Sequence, residues 1–130
     1  MIEKIKTLSI LVTRGLLGGI YLFFGLNWFL NFIALTPKSD KAEAFINGLL
    51  AASYFLPMLH FLEIFLGVLL VMGFFTPLVL VVLMPITINI VLYNLILNPG
   101  NLYLSLVLIV LHLYLLIMYR KSFRSLFVVH

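Results

Sequence analysis

The chain has 130 residues, of which 65% are hydrophobic and only 9% charged, with a mean hydropathy of +1.27. A soluble domain usually carries about 25% Asp, Glu, Lys and Arg, so this chain has too few charges to cover a water-facing shell, and lipid is the solvent for most of its exterior. The net charge of +4 and the pI near 9.6 do not point to nucleic acid, because the cations sit at the ends of apolar segments instead of along a stripe.

The length limits the chain to a single domain, residues 1–130, with no appended soluble module. It contains no cysteine, which excludes disulfides, thiol relays, iron–sulfur clusters and thiolate metal sites. Lys4 and Lys6 precede an apolar run from Leu8 that continues to about Leu35, far longer than a cleavable signal and without a small-residue cleavage site. A retained anchor helix is expected.

Four segments are long enough to span a bilayer, which takes about 20 residues. They run from about Leu8 to Leu35, Tyr54 to Phe75, Pro77 to Leu97 and Leu102 to Tyr119. Pro77 suits a first helical turn, and Asn98-Pro99-Gly100-Asn101 is a turn between the last two spans. Between the first two spans, Ser39 or Asp40 caps a short helix, and Phe45, Ile46, Leu49 and Leu50 recur at helical spacing. This predicts a short amphipathic helix at the interface. The expected fold is therefore all-α, an integral membrane bundle of four transmembrane helices with a short helix between spans 1 and 2.

An even number of spans puts both termini on one side. Lys4, Lys6 and Arg14 lie near one terminus and Arg120, Lys121 and Arg124 near the other, so the positive-inside rule places both in the cytoplasm. The expected location is the cell's inner, cytoplasmic membrane. Tyr54 and Tyr103 fall at the opposite boundary and Tyr119 at the inner one, as aromatic belts do.

Glu63 is the only carboxylate within the apolar spans. A charge at the bilayer centre costs several kcal/mol, so such residues pair or do chemistry. Counted from the inner helix ends, Glu63 and Asn89 lie about 18 Å deep, Tyr21 about 20 Å, and Arg14 and His112 about 10 Å. Arg14, Gly18, Tyr21, Gly25 and Trp28 form one stripe of the first helix, His60, Glu63 and Gly67 share a face of the second, and Asn89 and Tyr93 share a face of the third. The simplest arrangement turns these faces inward, with Glu63 bonded to Arg14, a tyrosine or Asn89. The alternative for Arg14 is snorkelling to the headgroups. Asn27 and Asn31 lie on another face and read as helix–helix hydrogen-bonding residues. Gly15 and Gly19 form a small-xxx-small pair that serves either an intramolecular seam or a dimer face. Pro85 predicts a kink in the third span.

His60 and His112 differ in depth by about 10 Å, which does not suit a bis-histidine haem. His60 and Glu63 supply two metal ligands where three or four are needed. No metal site or catalytic residue is therefore assigned, and no phosphate loop or nucleophile elbow occurs.

Arg14-Gly-Leu-Leu-Gly18 followed by Phe24-Gly25, and Glu63-Ile-Phe-Leu-Gly67-Val-Leu-Leu70-Val-Met-Gly73 leading into Thr76-Pro77, resemble the DoxX family of small four-span membrane proteins. Asn27-Trp28 stands where many members carry a lysine after the glycine. The family takes its name from a subunit of thiosulfate:quinone oxidoreductase, so the resemblance implies a link to quinone or thiol redox systems without assigning catalysis.

Three functional readings follow. In the first, the chain is a non-catalytic subunit or binding module. An Arg14–Glu63 site, with Tyr21, Trp28, His60, Asn89 and His112, holds a quinone- or lipid-like molecule, and Phe24 and Phe65 line the apolar wall. A membrane redox protein or a second copy of the chain is the expected partner. In the second, Glu63 handles protons in an oxidoreductase or small transporter. In the third, the polar pair only locks the bundle. The lack of a nucleophile or of a visible inverted repeat favours the first.

Overall fold

The computed structural model describes residues 1–33 and 39–127. The end of the first predicted span at Leu35, and Thr36 to Lys38 of the loop after it, lie outside the described residues. Helix α1 spans Ile2–Leu30, α2 Asp40–Ala51, α3 Phe55–Met72, α4 Thr76–Leu92 and α5 Leu102–Met118. A π-helical turn, Tyr93–Leu97, prolongs α4, and 3-10 turns occupy Pro99–Asn101 and Arg120–Phe127. The chain is thus an all-α membrane bundle. Three helical stretches, Ile2–Leu30, Phe55–Met72 and Thr76–Leu97, are long and apolar enough to cross a membrane, and the 17-residue α5 is a shorter apolar fourth.

Each helix stops for a local reason. Asn31 adopts a left-handed conformation (φ 54°) and its N–H returns to the Asn27 carbonyl. The Asn27 side chain then clasps the chain beyond, donating to the Ile33 carbonyl at 3.0 Å and accepting from the Ile33 N–H at 2.7 Å. Asn27 and Asn31 therefore finish their own helix, where the sequence pattern suggested bonds between helices. Helix α3 ends at Gly73, whose φ of 82° suits glycine. The Gly73 N–H bonds Leu70 and the Phe74 N–H bonds Leu69, the paired closure of a Schellman motif. Pro77 sits in the first turn of α4, and α4 runs on through Pro85 without a break.

The short α2 is capped by Ser39, whose oxygen accepts from the Ala42 N–H at 3.1 Å while its hydroxyl donates to the Leu97 carbonyl. Ala42 is buried, and Phe45 meets Tyr93 with ring centroids 5.6 Å apart. The inter-span helix is thereby docked on the π-helical turn.

The closest packing is between α1 and α3, which run antiparallel. A Cβ on Gly18 would stand 2.8 Å from the Gly67 carbonyl oxygen, and one on Gly67 would stand 2.8 Å from that of Gly18. Further along, a Cβ on Gly25 would stand 2.9 Å from the His60 carbonyl oxygen. Lipid gives helices no hydrophobic reason to associate, so this backbone-to-backbone approach supplies the packing instead. Gly15 and Gly19, the other reading of an intramolecular seam, have nothing within 4 Å of an added Cβ and do not contribute to it.

Behind the seam, Leu17, Tyr21, Leu66, Leu70, Val79, Leu80, Leu83, Leu108 and Leu115 form one core cluster shared by α1, α3, α4 and α5. At one end of the bundle, Lys6, Ile117, Met118, Arg120 and Lys121 line a hollow of about 80 Å³, so the basic residues of both chain ends lie together.

Candidate functional site

The antiparallel register of α1 and α3 decides which polar groups meet. Gly73 faces Arg14, Gly67 faces Gly18 and Leu22, and His60 and Ile64 face Gly25. Glu63 is ten positions from Gly73 along α3, which is about 15 Å. Arg14 is therefore held well away from Glu63, and the expected Arg14–Glu63 pair does not form. Among the described residues the carboxylate of Glu63 meets His60 instead.

Glu63 is buried, with 5% of its surface exposed. Its Oε2 lies 3.3 Å from Nδ1 of His60, one helical turn earlier on the same face. His60 in turn stacks on Trp28 of α1, with ring centroids 5.1 Å apart and planes 18° from parallel. Trp28, His60 and Glu63 thus form one cluster across the seam, made possible by the close approach at Gly25. The second carboxylate oxygen of Glu63 has no hydrogen-bond partner among the described residues. Phe24 is half-buried, whereas Phe65 turns outward and does not line a wall.

A second cluster lies deeper in the bundle. The Tyr21 hydroxyl meets Oγ1 of Thr87, Thr87 lies 2.8 Å from Nδ1 of His112, and Nε2 of His112 lies 2.9 Å from the Leu80 carbonyl. All three side chains are almost wholly enclosed, at 2%, 0% and 0% exposure. The direction of the bonds follows from their end: a carbonyl only accepts, so Nε2 carries the proton. A neutral imidazole then accepts at Nδ1 from the Thr87 hydroxyl, and Thr87 accepts from Tyr21. Every member has its partner. The cluster joins α1, α4 and α5.

The family model described as DoxX matches residues 9–96, two-thirds of the chain. The chain belongs to the DoxX family. No curated protein and no solved structure matches it. The Glu-x-x-x-Gly-x-x-Leu-x-x-Gly signature of this DoxX chain has a physical reading in the structure. Gly67 sits in the α1–α3 seam, Leu70 is fully buried, and Gly73 closes α3 against the guanidinium of Arg14. Helix α5, and with it His112, lies outside the matched segment.

Of the residues singled out in the sequence, Trp28, His60 and Glu63 come together, as do Tyr21 and His112. Arg14 stands apart at the end of α3. Asn89 belongs to neither cluster: it faces outward, and its amide donates back to the Pro85 carbonyl at 2.9 Å. Thr87 occupies the place expected for Asn89. Two positions on a helix differ by about 200°, so the inward face of α4 is nearly opposite the one chosen from the asparagine. The available signal was the run Thr76, Val79, Leu80, Leu83 and Thr87, all buried and all at helical spacing. A threonine in an apolar helix is a weak mark by itself, because its hydroxyl readily bonds its own backbone. Among the described residues no group of three or more His, Asp or Glu is placed to hold a metal ion.

Proposed function

We propose that this DoxX chain is a non-catalytic subunit or binding module of a membrane redox system, holding the polar head of a quinone- or lipid-like molecule at Glu63. The observation that supports it is the half-satisfied carboxylate. A buried acid with a single 3.3 Å hydrogen bond retains the capacity to accept from a ligand hydroxyl or, when protonated, to donate to a ligand carbonyl. Trp28 and His60 present stacked aromatic faces beside it, against which a flat ring can pack. The free oxygen of Glu63 is not among the enclosed atoms, so a ligand can reach it.

The protein is read as lying in the cell's inner membrane with both termini in the cytoplasm, supported by the shared basic end formed by Lys6, Arg120 and Lys121. A membrane redox protein is the expected partner. The open Gly15–Gly19 face suits a second copy of the chain or a partner helix. Proton handling by an enzyme or transporter has less support, because the Tyr21–Thr87–His112 chain ends on a backbone carbonyl that cannot pass a proton onward.

Native mass spectrometry with organic extraction, on wild type and Glu63→Gln, tests this reading. A small molecule of intermediate polarity is expected with the wild type and absent from the folded variant. Equal co-purification with both, or with neither, overturns it.

A further inference from the structure

The corner between α3 and α4 carries two buried polar atoms without partners, Nε of Arg14 and Oγ1 of Thr76. Thr76 is 3% exposed and is the first residue of α4. The guanidinium of Arg14 lies flat on Gly73, with its carbon and both terminal nitrogens 2.9–3.0 Å from where a Cβ would be. Arg14 makes no ion pair among the described residues, so its charge is uncompensated by any carboxylate. A negative group is the natural complement.

The start of α4 adds to the demand for an anion. Phe75 precedes it in a left-handed conformation and provides no side-chain cap. The first N–H groups of a helix lack intrahelical acceptors and carry the positive end of its dipole. The guanidinium covers Gly73, and three residues further on the chain begins α4 with the orphaned Thr76 hydroxyl and no side-chain cap, so these donors are grouped at one helix corner. A phosphate matches this set: its oxygens accept from the planar Arg fork, from a hydroxyl and from backbone N–H groups together.

We infer that the Arg14–Gly73–Thr76 corner binds a phosphate, and that its source is a membrane lipid headgroup. The lipid source follows from the surroundings. Met72, Phe74 and Phe75 expose 59%, 53% and 70% of their surfaces around the corner. They form an apolar shoulder at a helix end, where a lipid places its phosphate beside the start of its chains. The site is about 15 Å from Glu63 along α3 and is independent of the ligand there.

The test uses delipidated full-length protein in a neutral detergent, with thermal stability and ³¹P line broadening as readouts. The probes are short-chain phosphatidic acid, the matching diacylglycerol and inorganic phosphate. Phosphatidic acid is expected to stabilise the protein saturably and diacylglycerol to have no effect. Arg14→Lys keeps the charge but loses the fork, and binding should weaken about tenfold. Thr76→Val should weaken binding several-fold while leaving the lipid-free protein as stable as wild type or more so, because it removes an orphaned oxygen. Unchanged binding in both variants, or an equal response to diacylglycerol, overturns the site. Inorganic phosphate binding as tightly as the lipid overturns the headgroup assignment.

Discussion

The two polar clusters of this bundle lie close together and are built in opposite ways. Tyr21, Thr87 and His112 are fully enclosed, and each hydrogen bond has both its donor and its acceptor. Glu63 is nearly as buried, yet it holds one 3.3 Å bond to a histidine on its own helix and none to another helix. The first cluster ties three helices together. The second leaves capacity unused. A closed network in lipid fixes helix positions, whereas an incomplete one has room for something else to complete it. On the proposed reading, stability and binding fall to different residues, though the sequence offers both as polar side chains in apolar spans.

The widest disruption should come from the seam that both clusters depend on. Gly67→Ala drives a Cβ into the backbone of Gly18 and Leu22, so the helices must separate, and a loss of about 1–3 kcal/mol is expected. Denaturant unfolding in detergent micelles measures it, and a wild-type midpoint would show that the seam is slack. His112→Leu removes the acceptor of the Thr87 hydroxyl and the added donor on the Leu80 carbonyl, and should destabilise by about 1–2 kcal/mol with no effect on molecules bound at Glu63. Loss of such a molecule from a folded His112→Leu protein would merge the two clusters into one site.

Glu63→Gln should behave in reverse. With no Arg14 charge to strand, its stability should stay within about 1 kcal/mol of wild type while co-purified ligand disappears. A collapse in stability would make Glu63 a strut after all. Asn89→Leu is the smallest change. Its amide bonds only its own helix on the outer face, so a shift within about 0.5 kcal/mol is expected in the same unfolding assay.

Much of this fold is legible in the sequence. The scarcity of charge, the apolar spans, the Ser39 cap, Pro77 at a helix start and the turn before α5 are local matters of solvent and backbone geometry. The stripe Gly18, Tyr21 and Gly25 identified the packed face of α1, because glycine in an apolar helix marks where another backbone comes near. The Glu63–His60–Trp28 grouping also follows from such a stripe, since His60 and Glu63 are one turn apart and Trp28 continues the glycine face.

What the sequence alone could not determine was rotation and register. Helix α4 is apolar all round, so periodicity does not say which side faces inward, and Asn89 drew attention to the side opposite Thr87. Depth counting placed Arg14 within reach of Glu63, but the glycine contacts fix a register that sets Arg14 beside Gly73. In water, polar side chains mark the outside of a helix. In lipid that cue is gone, and the inward face and the axial offset of each helix are decided only when backbones and hydrogen-bond partners meet in the assembled bundle.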